Sequence, residues 1–87
     1  MATLTLTNDF HGTSVALRVT LDEIKEGTRF VLTPNQVKKA HNALCGSKDC
    51  QCSGYTGARG GLYYINEQEV KLSIDHNQDT SAVITIN

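Results

Sequence analysis

Two clusters of residues in this 87-residue chain have types and spacings suited to chemistry. The first is Gly54-Tyr55-Thr56-Gly57-Ala58-Arg59-Gly60-Gly61, followed by Leu62-Tyr63-Tyr64. Glycines such as Gly57 and Gly60 let backbone amides approach an anion closely, and Arg59 supplies a planar fork that matches phosphate. Tyr55, Tyr63 and Tyr64 are rings on which a base could stack. Phosphate and a flat ring together are what a nucleotide offers, so these six residues are the expected ligand-binding set. The segment lacks the Lys-Ser/Thr ending of a phosphate-loop nucleotidase, and no Gly-x-Gly-x-x-Gly opens a helix. The plainer alternative is a hairpin loop whose arginine meets solvent and whose tyrosines cover a sheet edge.

The second cluster is His41, Cys45, Cys50 and Cys52. On a helix, His41 and Cys45 share a face because they are one turn apart. Four soft ligands so close in sequence could close a tetrahedral zinc site and help stabilise a small core. The Cys-x4-Cys-x-Cys spacing is unlike the common zinc knuckles, and Cys50 and Cys52 would point apart on an extended segment. Three other states compete: a histidine at the rim of the apolar stripe, a buried free Cys45, and two paired thiols leaving one over.

Nothing else suggests catalysis. Asp9 with His11, and His76 with Asp75 and Asp79, fall in turns, where Asp usually bonds nearby backbone. No serine or cysteine has a nucleophile motif around it, and no pair of carboxylates has a convincing spacing. The expectation is a binding protein and not an enzyme.

The elements that must position these clusters are short. Thr3 to Thr7 alternates Thr and Leu, which makes a strand with one wet face. Asn8 to Gly12 is a turn. Ser14 to Leu21 is a second strand with Val15, Leu17, Val19 and Leu21 on one side, completing a hairpin. Asp22 to Gly27 is a polar loop or a single helical turn, and Arg29 to Leu32 a short third strand. Thr33-Pro34-Asn35-Gln36 is a capping box with proline at the first helical position. The helix then runs from Pro34 to about Cys45, burying Val37, Ala40 and Leu44, with Lys38, Lys39 and Asn42 in water. Gly46 stands where a helix would stop. Gly46 to Gly61 has no period, and a loop of that length is usually functional or tied down. Leu62 to Asn66 is a strand, Glu67-Gln68 the turn, and Val70, Leu72 and Ile74 line one face of the next strand. His76 to Thr80 is another turn, and Ala82 to Ile86 the last strand. The expected fold is α+β, a single antiparallel sheet of about five to six strands with one helix, ordered β-β-β-α-loop-β-β-β.

Composition sets the bounds. One domain fills the chain, and 39% apolar residues without tryptophan leave a thin core, for which an oligomer partner, metal or disulfide is a common support. A formal net charge of -1 argues against a general nucleic-acid binder, which needs a cationic face. No apolar run reaches membrane-span length, and the first residues lack the blocks of a signal peptide, so a cytoplasmic protein with reduced thiols is expected.

Two stretches, Leu6-Thr7-Asn8-Asp9-Phe10-His11-Gly12-Thr13-Ser14-Val15 and Ala43-Leu44-Cys45-Gly46-Ser47-Lys48-Asp49-Cys50-Gln51-Cys52, resemble small phage and prophage proteins directed against bacterial immune systems. Within those, the chain looks most like the nucleotide sponges that oppose Thoeris-type signalling. The resemblance covers about a third of the chain and transfers no binding residue. It implies a homo-oligomeric, non-enzymatic protein of the bacterial host cytosol that captures a small ADP-ribose-derived or cyclic nucleotide. The alternatives are a zinc-stabilised interaction module and a direct protein inhibitor of a host defence protein.

Overall fold

The computed structural model describes residues 1–45, 55–58 and 62–87. Among them run β1 (Ala2–Asn8), β2 (Thr13–Val19), β3 (Arg29–Leu32), α1 (Pro34–Cys45), β4 (Tyr63–Ile65), β5 (Gln68–Val70), β6 (Leu72–His76) and β7 (Ala82–Ile86). The α+β class and its helix are as expected. The single sheet of five to six strands is not: the strands form a four-stranded sheet, β2-β1-β4-β5, and a three-stranded sheet, β3-β7-β6, both antiparallel. The reason lies at Lys71. β5 ends at Val70 paired to β4, and β6 begins at Leu72 paired to β7. One extended stretch therefore leaves the first sheet and enters the second. Val70, Leu72 and Ile74 pack on the core from both sides of that switch, so the alternation is unbroken where the pairing changes.

β1 and β2 pair along their whole length, Ala2 opposite Val19 through to Asn8 opposite Thr13. The alternation buries Ala2, Leu4, Leu6, Leu17 and Val19 and leaves Thr3, Ala16 and Arg18 in water. Gly12, at φ +67°, donates its N–H to the Asn8 carbonyl to close the turn, a conformation glycine adopts without steric penalty. The second hairpin turns at Asn66-Glu67, one residue earlier than expected. Both residues are left-handed, at φ 51° and 68°, as a two-residue hairpin turn with matching twist requires.

The capping box closes as the sequence implies. Thr33 Oγ1 accepts the Gln36 N–H at 3.2 Å and Gln36 Oε1 accepts the Thr33 N–H at 3.0 Å. The helix buries Val37, Ala40 and Leu44 and packs chiefly on β2. Two bonds fasten it there: Gln36 Nε2 donates to the Arg18 carbonyl at 2.6 Å, and Thr13 Oγ1 donates to the Leu44 carbonyl at 2.8 Å. The second of these occupies a carbonyl at the helix end that has no partner within the helix. Leu4, Leu6 and Ile65 from the first sheet, Phe30, Leu32 and Ile84 from the second, and the helix stripe form one apolar core. No described helix is long and apolar enough to cross a membrane.

Candidate functional site

The glycine-rich stretch has a described part, residues 55–58, held from several sides. Asn8, only 2% exposed at the end of β1, organises it. Its Nδ2 donates to the Gly57 carbonyl at 2.7 Å, while its Oδ1 accepts the His11 N–H at 3.1 Å. A buried amide is stable only when so paired. Thr56 is buried, and its Oγ1 accepts the Ala58 N–H at 3.3 Å. Tyr55 sets its ring edge-on to His76, centroids 5.0 Å apart. Further along, Thr7 Oγ1 donates to the Leu62 carbonyl at 2.6 Å.

Gly57 stands directly on the helix. Its φ is +83°, and a Cβ there would lie 3.2 Å from Leu44 Cβ and 3.5 Å from both His41 Cα and the Cys45 nitrogen. Close packing and a left-handed backbone together account for glycine at this position.

The three expected tyrosines do not converge. Tyr63 and Tyr64 are neighbours in β4, so their side chains leave opposite faces of the sheet. Tyr63 shares the face of Ile65 and packs half-buried on the core, opposite Val70. Tyr64 lies on the other face, between its partners Thr5 and Glu69. Tyr55 is 59% exposed against β6. Burial, with a smaller contribution from Asp9, raises the Tyr63 phenol above its ordinary pKa, so it remains a hydrogen-bond donor at neutral pH. Arg59 and Gly60 lie outside the described residues.

A groove of about 430 Å³ is lined by Leu62, Tyr63, Glu69, Val70, Lys71 and Leu72. It opens at the seam where the chain passes from one sheet to the other. Its volume falls within the roughly 300–1,000 Å³ of small-molecule sites. The lining residues comprise three apolar ones, a lysine, a glutamate and a tyrosine, a mixed set of the kind small-molecule sites use. Lys71, Val70 and Leu72 were not among the expected site residues. In sequence they read as an ordinary strand, with an exposed lysine between two core positions, and only the sheet switch turns that segment into a groove wall.

Of the expected metal ligands, His41 is half-buried in α1. Cys45 is disulfide-bonded, a state in which its sulfur is not the thiolate that zinc takes. Cys50 and Cys52 lie outside the described residues. Among the described residues, no group of three or more His, Cys, Asp or Glu is arranged to hold a metal ion.

Of the residues expected in turns, Asp79 is a local tie, while Asp75 and His76 belong to β6. Asp79 Oδ1 accepts the Ser81 N–H at 3.0 Å and the Ser81 hydroxyl at 2.5 Å, and these bonds lower the carboxyl pKa. Partial burial lowers His76, with Asp75 opposing. The His11 ring stands edge-on to Phe10 at 5.1 Å.

Fold and groove together define a small two-sheet α+β domain with a ligand-sized cleft at a sheet seam. Compared with known proteins, the chain matches no family model, no curated relative and no solved structure.

Proposed function

We propose that this protein binds a small nucleotide, ADP-ribose-derived or cyclic, and holds it chemically unchanged. The observation that carries the reading is the seam groove, whose lining includes both Tyr63 and Lys71 together with Leu62, Val70 and Leu72. Lys71 neutralises a phosphate, and the Tyr63 hydroxyl donates to it or to a ring substituent. Glu69 repels a phosphate but accepts ribose hydroxyls, which orients the ligand with its sugar at that rim.

Capture without turnover acts by mass action, so the protein must be abundant and must outbind the receptor it starves. This is the role of the phage-encoded sponges that the hairpin and cysteine segments resemble, and the proposal includes action in the bacterial cytosol as a homo-oligomer. Among the described residues β5 and β6 end their respective sheets, and pairing of a second copy there would extend either sheet beside the groove.

The test is recovery of the ligand. Protein in molar excess is mixed with ADP-ribose, washed, denatured, and the released compound weighed by mass spectrometry. Intact ADP-ribose in stoichiometric yield supports sequestration. A converted product would show an enzyme, and no retained compound in this series, cyclic nucleotides included, would sink the proposal. Phe10, 83% exposed at the tip of the first hairpin, favours the second reading, direct inhibition of a host protein. That reading requires one stoichiometric host partner whose capture is lost with Phe10→Ser.

A further inference from the structure

We propose a second, separate site in the groove between β2 and α1, which takes a phosphate group. This inference does not rest on the seam groove. The β2–α1 groove measures about 450 Å³ and is lined by Thr3, Ala16, Leu17, Arg18, Gln36 and Lys39. Gln36 sets its geometry. Its Oε1 is used in the helix cap and its Nε2 on the Arg18 carbonyl, so it acts as a strut that fixes the helix against β2 at Arg18. Lys39 lies three residues further along α1, on the same flank as Gln36. The strut therefore sets Arg18 and Lys39 on the two borders of one groove.

Charge decides what that groove accepts. Among the described residues no carboxylate lines it, and the α1 sequence from Pro34 to Cys45 contains no acid at all. The seam groove differs, because Glu69 stands beside Lys71 there. Two cations bordering one groove repel, and a doubly charged anion between them relieves that repulsion. Arg18 offers a bidentate fork and Lys39 a point charge, while the Thr3 hydroxyl, on the residue paired with Arg18, adds a neutral donor. Both cationic side chains are exposed, so the site grips a phosphate group from one side and does not enclose a whole nucleotide.

The experiment is an NMR titration of the intact chain with inorganic phosphate, against chloride at equal ionic strength. Saturable shifts at the amides of Thr3, Ala16, Arg18 and Lys39 are expected with phosphate and not with chloride. Arg18→Gln and Lys39→Gln, both at exposed positions, should each weaken the response at least about fivefold, the scale of one charge-assisted bond. Tyr63→Ala should leave it unchanged, which keeps this site distinguishable from the seam groove. A second arm uses ADP. If ADP moves the same amides at lower concentration, the bound group comes from a nucleotide; if phosphate is equal or better, from free phosphate. Chloride reproducing the shifts, or their persistence in the doubly substituted protein, overturns the proposal.

Discussion

Gly57→Ala separates packing from ligand binding as the reason for a glycine at this position. Alanine at φ +83° carries the left-handed penalty of about 1–2 kcal/mol. Its Cβ would also sit 3.2 Å from Leu44 Cβ, tighter than an ordinary carbon contact, on a helix anchored through the neighbouring Leu44 carbonyl. A few tenths of an ångström of forced retreat adds about 1 kcal/mol. The sum is roughly 2–3 kcal/mol, which for a domain this size lowers Tm by roughly 8–24 °C. Gly12→Ala is the control, since its φ is +67° and nothing lies within 4 Å of the added carbon. It should lose about 1–2 kcal/mol from backbone strain alone. Urea unfolding of both variants, monitored by circular dichroism, gives the comparison. If Gly57→Ala unfolds at the wild-type midpoint while ligand binding is lost, the packing argument is wrong and the glycine serves the ligand.

Three further outcomes follow from the same geometry. Asn8→Ala should lose about 1–3 kcal/mol, because it leaves the Gly57 carbonyl without its buried partner; an unchanged denaturation midpoint would refute that. His76 has a folded pKa below its usual 6.5, so the unfolded chain binds more protons between the two values. Stability should therefore fall as pH drops from above 6.5 through the folded pKa, and His76→Asn should flatten that slope. Tyr63 has the opposite sense: its pKa is raised from 10.0, so its contribution is complete below 10 and lost as pH rises through the folded value, and ultraviolet titration should show one tyrosine ionising late.

Much of the architecture was legible because it rests on local chemistry. The Thr-Leu alternation of β1, the capping box before Pro34 and the stripe of Val37, Ala40 and Leu44 each have a periodicity or hydrogen-bond pattern contained within a few residues. The number of sheets was not legible, because the switch at Lys71 preserves the alternation of Val70, Leu72 and Ile74 and alters only which strand receives the hydrogen bonds. Tyr63 was legible as a candidate from its residue type. Its separation from Tyr64 follows from their adjacency once β4 is a strand. Lys71 was hidden, since an exposed lysine in a strand is ordinary until a sheet seam opens beside it. The buried Asn8, in turn, looked like any turn residue, because its partner at Gly57 lies 49 positions away.

The central claim is that the seam groove holds the ligand, and an NMR titration with ADP-ribose tests it most directly. The amides of Leu62, Tyr63, Val70, Lys71 and Leu72 should move together and saturate, and Lys71→Ala should weaken the binding about tenfold, the loss of one charge-assisted contact. A flat titration at those five amides, or one that Lys71→Ala leaves unchanged, would contradict it.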